Sequence, residues 1–106
     1  MNIMQIMQQA KVMQTKMAEM QERMGEERVT GSAGNGAVQV VMTCKGRVDS
    51  VKIDPRFMDP KDPELLEDLV KAAVNEARKK GDDAMAAETK KMMEDMGLPA
   101  NAKLPF

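Results

Sequence analysis

Between Ile3 and Met24 the apolar residues Ile3, Ile6, Ala10, Met13, Met17, Met20 and Met24 stand 3, 4, 3, 4, 3 and 4 positions apart. Alternating threes and fours track the turn of an α-helix and place these side chains on one line, so the chain must begin as a helix with a single apolar seam. Met4 and Met7 widen the seam at its start. Gln5, Gln8, Gln9, Lys11, Gln14, Lys16, Glu19, Glu22 and Arg23 supply the wet faces. Such a helix needs a partner along its whole length. Gly25 follows the last seam residue, and glycine commonly ends a helix in a left-handed turn, so the helix is expected over 3–24.

The period then changes from helical to two. Val29-Thr30-Gly31 leads into Ser32-Ala33-Gly34-Asn35-Gly36, after which Val38, Val40, Met42 and Cys44 alternate with Gln39, Val41 and Thr43. Asn-Gly between extended runs is a hairpin signal, because both residues tolerate positive φ. Lys45-Gly46 offers a second turn, and Val51 and Ile53 alternate with Lys52 and Asp54 until Pro55 removes a ladder donor. Three antiparallel strands are expected over 28–54, with Cys44 buried on the face of Val38, Val40 and Met42.

Asp59-Pro60-Lys61-Asp62-Pro63 reads as a loop that closes in a helix start, Asp62 capping the first free amides and Pro63 taking the first helical position. Leu66, Leu69, Val70, Ala73 and Ala77 then share a face, as later do Ala84, Met85, Met92 and Met96. The Gly81-Asp82-Asp83 triplet between the two sets leaves one long helix over 63–96 or two shorter helices equally open. An unbroken helix of that length would run roughly 50 Å at 1.5 Å per residue, so much of it would project from so small a sheet. The segment 97–106 carries two prolines and cannot be regular helix, though Leu98, Leu104 and Phe106 have the apolarity to dock on a surface. No repeat or second domain is visible, and 1–106 reads as one domain.

The 106 residues include no histidine and one cysteine. Without histidine there is no neutral-pH proton shuttle of the usual kind, no serine or cysteine triad and no histidine metal ligand. Glu64, Glu67 and Asp68, or Asp82 and Asp83, match no calcium-loop spacing and read as solvated helix ends. Gly31, Gly34 and Gly36 lack the lysine-serine/threonine ending of a phosphate loop and are followed by a strand where a helix would be needed. Cys44 has no activating base near it in sequence. No enzyme activity, cofactor, metal site or small-molecule substrate is therefore expected. A basic leader is missing at the N-terminus, and charged or amide residues interrupt every apolar stretch, so a cytoplasmic chain without a membrane span is expected.

Binding remains. The formal net charge is -1, so attraction to phosphate must come from local faces and not from the whole molecule. Lys71, Asn75, Arg78 and Lys79 fall at i, i+4, i+7 and i+8 of the second helix, on one face. Lys16 and Arg23 flank the first seam in the same way. Glu19, Glu22 and Glu76 dilute these cations, and no aromatic is placed to stack single-stranded bases. The methionine seam has two readings of its own: an adaptable surface for holding a partner helix, or an ordinary core or dimer seam.

Several segments, in order, resemble the YbaB/EbfC family over nearly the entire chain. They are the Met/Gln/Lys helix from Met4 to Met24, Val29-Thr30-Gly31 with Gly34 and Gly36, and Val51-Lys52-Ile53-Asp54-Pro55. Leu66-Glu67-Asp68-Leu69-Val70-Lys71-Ala72-Ala73-Val74-Asn75-Glu76-Ala77 follows, then Leu98-Pro99 with Lys103-Leu104-Pro105-Phe106. The resemblance implies an α+β fold of helix, three-stranded antiparallel sheet and long helix, paired as a homodimer whose projecting helices resemble tweezers. It favours a second helix continuous through Gly81. It further implies duplex DNA as partner, location in the bacterial nucleoid and links with recombination and repair. Asn75 and its helical neighbours carry over as DNA contacts with motif support, while Lys16, Arg23, Lys71, Arg78 and Lys79 are assigned from charge and position. The chain departs from the family pattern in its heavy methionine content in the first helix, in a glycine-rich end reduced to Gly97, and in having no dominant basic patch. The rival expectation is a protein-interaction module or chaperone-like clamp built on the methionine-rich helices.

Overall fold

A computed structural model describes residues 2–97. The elements follow in the order α1 (Ile3–Glu26), β1 (Arg28–Ala33), β2 (Val38–Thr43), β3 (Val48–Ile53), a single 3-10 turn (Pro55–Phe57) and α2 (Pro63–Asp95). The fold is α+β, with α2 packed on one face of an antiparallel sheet of order β1-β2-β3. The segment 98–106, and with it the docking expected of Leu98, Leu104 and Phe106, lies outside the described residues.

Helix α1 opens on Asn2, whose side chain accepts from the Met4 amide at 3.1 Å, satisfying one of the donors that no preceding turn can reach. Its end differs from the sequence expectation. The helix passes through Gly25 without a left-handed residue and stops at Glu26, with Glu27 already extended at φ -73° and ψ 132°. The cause is tertiary: the Glu27 carbonyl accepts from the Cys44 amide at 2.9 Å, so the chain passes from the last helical turn straight into β1 with no reversal that would need a glycine.

The sheet turns where glycine and asparagine permit it. Gly34, Asn35 and Gly36 all adopt positive φ between β1 and β2, a run that only such residues hold without strain. Gly46, at φ 97°, closes the β2–β3 turn, where the buried Thr43 hydroxyl accepts from the Arg47 amide at 3.0 Å. Val29, Gly31 and Ala33 pair with Met42, Val40 and Val38, so one face of β1 and β2 carries the apolar set. Helix α2 covers that set with Leu66, Leu69, Val70, Ala73 and Ala77, burying Val38 and Val40 completely. The small side chains of α2 meet the sheet at Gly31, where the Ala73 carbonyl and the Ala77 backbone come so close that a Cβ has no room. On the edge strand β3, Ile53 packs against this core, while Val48 and Val51 remain about half exposed.

Helix α2 is continuous. Asp62 accepts from the Leu65 amide at 3.4 Å and Pro63 takes the first turn. Gly81 is buried inside the helix with its α-carbon against the Cys44 backbone; a Cβ there would stand 3.3 Å from the Cys44 Cα. A residue with a breaker's reputation is therefore a contact point, and its helical cost of about 1 kcal/mol is accepted for close approach. At 33 residues and 1.5 Å per residue, α2 is about 50 Å long, and the molecule measures 69 × 22 × 17 Å.

A second, smaller cluster fastens α1 to this body: Met20, Met24 and Cys44 are buried together, with Met17, Val29, Ala84 and Met85 against them. Cys44 lies one residue past β2 and belongs to this cluster, not to the face of Val38, Val40 and Met42 on which its period-two position suggested it. The seam of α1 is likewise partnered only in part. Ile3 and Met4 are each 73% exposed, and Ile6, Met7 and Val12 are exposed as well. The two helices run antiparallel, Arg23 meeting Glu88 and Lys16 sharing a cleft with Asp95. α2 therefore ends opposite the middle of α1, and among the described residues nothing covers the seam from Ile3 to Ala10.

Candidate nucleic-acid interface

Two groups of cations emerge from this geometry. The first sits where the helices lie side by side. Lys16 and Arg23 of α1 line one cleft with Lys91 of α2, joined by Glu19, Met20, Glu88, Met92 and Asp95. Arg23 Nη2 donates to Glu88 Oε2 at 2.9 Å, with the arginine side chain still 61% exposed. Such an exposed pair is worth at most about 1 kcal/mol, so a phosphate oxygen can compete for the guanidinium. Lys91 was not singled out from the sequence. It is 12 residues beyond Lys79, and only the antiparallel packing of two helices far apart in sequence brings it to Lys16.

The second group is on α2 alone. Lys71, Asn75, Arg78 and Lys79 are all exposed. Lys71 stands at the rim of an apolar groove formed by Met58, Pro60, Pro63, Leu66 and Val70. Arg78 leans toward Asp82, Nε to Oδ1 3.4 Å, and over the Gly46 turn. Among the described residues Lys16, Lys71, Lys79 and Lys91 have no ion-pair partner. At about 100° per residue, Lys91 points to nearly the opposite side of α2 from Asn75. The structure thus brings Lys16 and Arg23 together and keeps Lys71, Asn75, Arg78 and Lys79 apart from them.

Other cations are committed to holding the fold. Lys80 donates to the Thr30 carbonyl at 2.9 Å, tying α2 to β1, and pairs with Glu76 at 3.2 Å. Arg28 and Arg47 both donate to Asp49, and Arg56 donates to Asp54. The hydrogen bond from Arg28 holds the Asp49 carboxyl below the usual aspartate range, and that from Arg56 does the same for Asp54. A carboxyl depressed by folding contributes stability that is present above its unfolded pKa of about 3.9 and is lost as pH falls through the lower folded value. Urea unfolding of Asp49→Asn should therefore lose less stability than the unaltered protein when pH drops from about 5 to about 2.5. Equal losses would assign no acid sensitivity to this ion pair.

Among the described residues no group of three or more Asp, Glu or Cys side chains is arranged to hold a metal ion. Burial pushes the Cys44 thiol up, so it is held protonated and packs as a small apolar group. Among the described residues no helix is long and apolar enough to cross a membrane.

Fold and surface together define an α+β protein with exposed cations on both of its helices. The chain belongs to the YbaB/EbfC DNA-binding family, whose model matches residues 1–96; the family is one of DNA-binding proteins and not of enzymes. Its relatives include nucleoid-associated proteins of Maricaulis maris, 46% identical, and of Paramagnetospirillum magneticum, 50% identical. Each alignment covers 99% of this chain and 98% of the relative. The crystal structure of an uncharacterized Helicobacter pylori protein shares the fold with TM-score 0.70 at 21% identity, over 91% of this chain and 97% of that one.

Proposed function

We propose that the protein is a nucleoid-associated homodimer that binds duplex DNA chiefly through phosphate contacts from its helices. The observation that carries this reading is the meeting of Lys16, Arg23 and Lys91, from two helices distant in sequence, in one cleft of a chain that belongs to a DNA-binding family. Phosphate contacts position a protein on the duplex without reading bases. Here they would come from Lys16, Arg23 and Lys91 at the arms, and from Lys71, Arg78 and Lys79 with Asn75 along α2. Acidic groups lie near them, among them Glu19, Glu88 and Asp95 in the cleft, Glu22 beside Arg23, and Glu67, Asp68, Glu76 and Asp82 along α2. One protomer's patch is therefore weak, and two-fold symmetry doubles it. With a net charge of -1, affinity rests on these local faces; a cytoplasmic, nucleoid location belongs to the same proposal, and relatives named nucleoid-associated proteins support it.

A second reading has its own observation: the exposed apolar start of α1, from Ile3 to Val12, suits a clamp on a partner helix. Salt separates the two. Fluorescence anisotropy of two unrelated duplexes at about 50 mM and about 150 mM salt should show binding to both that weakens steeply, because counterions released from phosphate must be re-paid at high salt. Light scattering on the same samples should give twice the protomer mass. Absence of binding at either salt would overturn the DNA reading in favour of the clamp, and a protomer mass would overturn the dimer.

A further inference from the structure

We infer that the joint between α1 and the body is a site of reversible methionine oxidation, through which a peroxide loosens the N-terminal arm. Thirteen of the 106 residues are methionine, and their placement divides them by consequence. Met4, Met7 and Met58 are more than half exposed and touch no buried cluster. Met17, Met20 and Met24, by contrast, are the side chains of α1 that enter the cluster fastening it to the rest of the chain, where they meet Met85, Ala84, Val29 and Cys44. Beyond this cluster α1 is held by the exposed Arg23–Glu88 pair, by the continuity of its end with β1, and by Met20 facing the buried Met92 of α2 in the neighbouring cleft, one more thioether at the same joint. From Ile3 to Val12 the helix is exposed and, among the described residues, adds no hold. The direction of a 24-residue arm is thus set by thioethers.

A thioether in this position is chemically different from the leucine that would pack equally well. Its sulfur lone pair attacks one oxygen of a hydroperoxide; the S–O bond forms as the O–O bond breaks, and the departing oxygen leaves as water or alcohol after taking up the proton. Sulfur is oxidised by two electrons and the peroxide is reduced by two. The product is a polar sulfoxide that a thiol-dependent reductase returns to the thioether. In the joint the new oxygen would face apolar neighbours. The one hydroxyl beside Met20, Thr89 Oγ1, lies 3.7 Å from its sulfur and 2.9 Å from the Met85 carbonyl, so it already has an acceptor. A buried polar atom without a partner disfavours the closed joint. Access runs inward from Met17 and Met85, which are half-buried, to Met20 and Met24, which are buried. Exposed Met4, Met7 and Met58 react first and leave the joint intact. The loosening does not depend on the DNA reading; only its consequence does, since Lys16 and Arg23 would then part from Lys91.

The test follows wild-type protein in graded hydrogen peroxide, with oxygen addition at each methionine read by peptide mass spectrometry and backbone hydrogen exchange read in the same samples. Oxygen on Met4, Met7 and Met58 should leave exchange in residues 17–26 unchanged. Oxygen on Met17 and Met85 should speed it at least ten-fold, and treatment with sulfoxide reductases and thiol should restore it. A variant carrying Met17→Leu, Met20→Leu, Met24→Leu and Met85→Leu keeps the apolar joint and Cys44 but cannot form these sulfoxides, so its exchange should not respond to peroxide. Unchanged exchange in wild type once Met17 and Met85 are mostly oxidised would overturn the inference. So would peroxide loosening the leucine variant, which would assign the effect to Cys44 or to the methionines left in place, Met92 beside Met20 first among them. If the variant does not fold, the site-by-site correlation in wild type decides alone.

Discussion

Gly31→Ala is expected to lower stability by about 3 kcal/mol or more, at the upper end of what overpacking costs, because the added methyl has nowhere to go. Its Cβ would fall within van der Waals contact of the Ala73 carbonyl oxygen and the Ala77 amide, and 2.9 Å from the Ala77 Cα. All three are backbone atoms of a regular helix, so no rotamer change relieves the clash; α2 must lift off β1 as a body. Lifting α2 opens the contact with Val38, Val40 and Met42 on which the main core depends. For a domain of about 100 residues this loss lowers the melting temperature by roughly 12–24 °C. Gly25→Ala is the control with the opposite sign. Gly25 is helical, and a Cβ there meets only the flexible Lys45 side chain at 3.4 Å, so the gain in helix propensity, up to about 1 kcal/mol, should raise the melting temperature. Thermal melts of the two variants beside the parent check both; a Gly31→Ala melt within a few degrees of the parent would show that the helix-to-sheet approach is not tight.

Replacing Lys16, Arg23 and Lys91 together by alanine should weaken duplex binding by roughly ten- to a hundred-fold at about 50 mM salt. It should also flatten the salt dependence by about 0.9 in log–log slope for each phosphate that is no longer neutralised. The triple variant Lys71→Ala, Arg78→Ala, Lys79→Ala should weaken binding too, and the ratio of the two effects measures how far DNA engages the arms rather than the length of α2. The companion change Glu88→Gln has the opposite expected sign. It frees Arg23 of its 2.9 Å partner and removes a negative charge from the cleft, so affinity should rise a few-fold while stability shifts by less than about 1 kcal/mol. Anisotropy titrations of the three variants read these effects. Unchanged affinity in both alanine triples would remove the helix cations from the interface. A fall in affinity for Glu88→Gln would mean that Glu88 positions Arg23 for DNA instead of competing for it.

How much of the fold is legible in the sequence differs between elements, for physical reasons. Helix α1 and the strand alternation announce themselves because side-chain period is a local property of the backbone, and Asp62-Pro63 marks the start of α2 because capping is local too. Gly25 and Gly81 mislead or leave matters open because a glycine's local preference is to break a helix, while its role here is set by what lies against it. Glu27 is drawn into the sheet by the Cys44 amide, and Gly81 receives the Cys44 backbone. Cys44 departs from its expected face for a related reason: alternation fixes a face only while the strand lasts, and β2 ends at Thr43.

The cations show the same division. That Lys71, Asn75, Arg78 and Lys79 share a face follows from helix geometry alone. That Lys91 stands with Lys16 and Arg23, that Lys80 is spent on the Thr30 carbonyl, and that Arg23 is already shared with Glu88 depend on where α2 crosses α1. The sequence by itself determined the first helix and the three strands in their order, the turns between the strands, the Asp62-Pro63 start of α2, and the absence of histidine chemistry, because each follows from composition or from residues within one or two turns of one another. Only the tertiary structure decided which cations meet, which half of the methionine seam is covered and which edge strand α2 covers least. Those outcomes are set by the length of α2, which ends opposite the middle of α1, and by its close approach to Gly31, which seats it over β1 and β2 and leaves Val48 and Val51 of β3 half exposed.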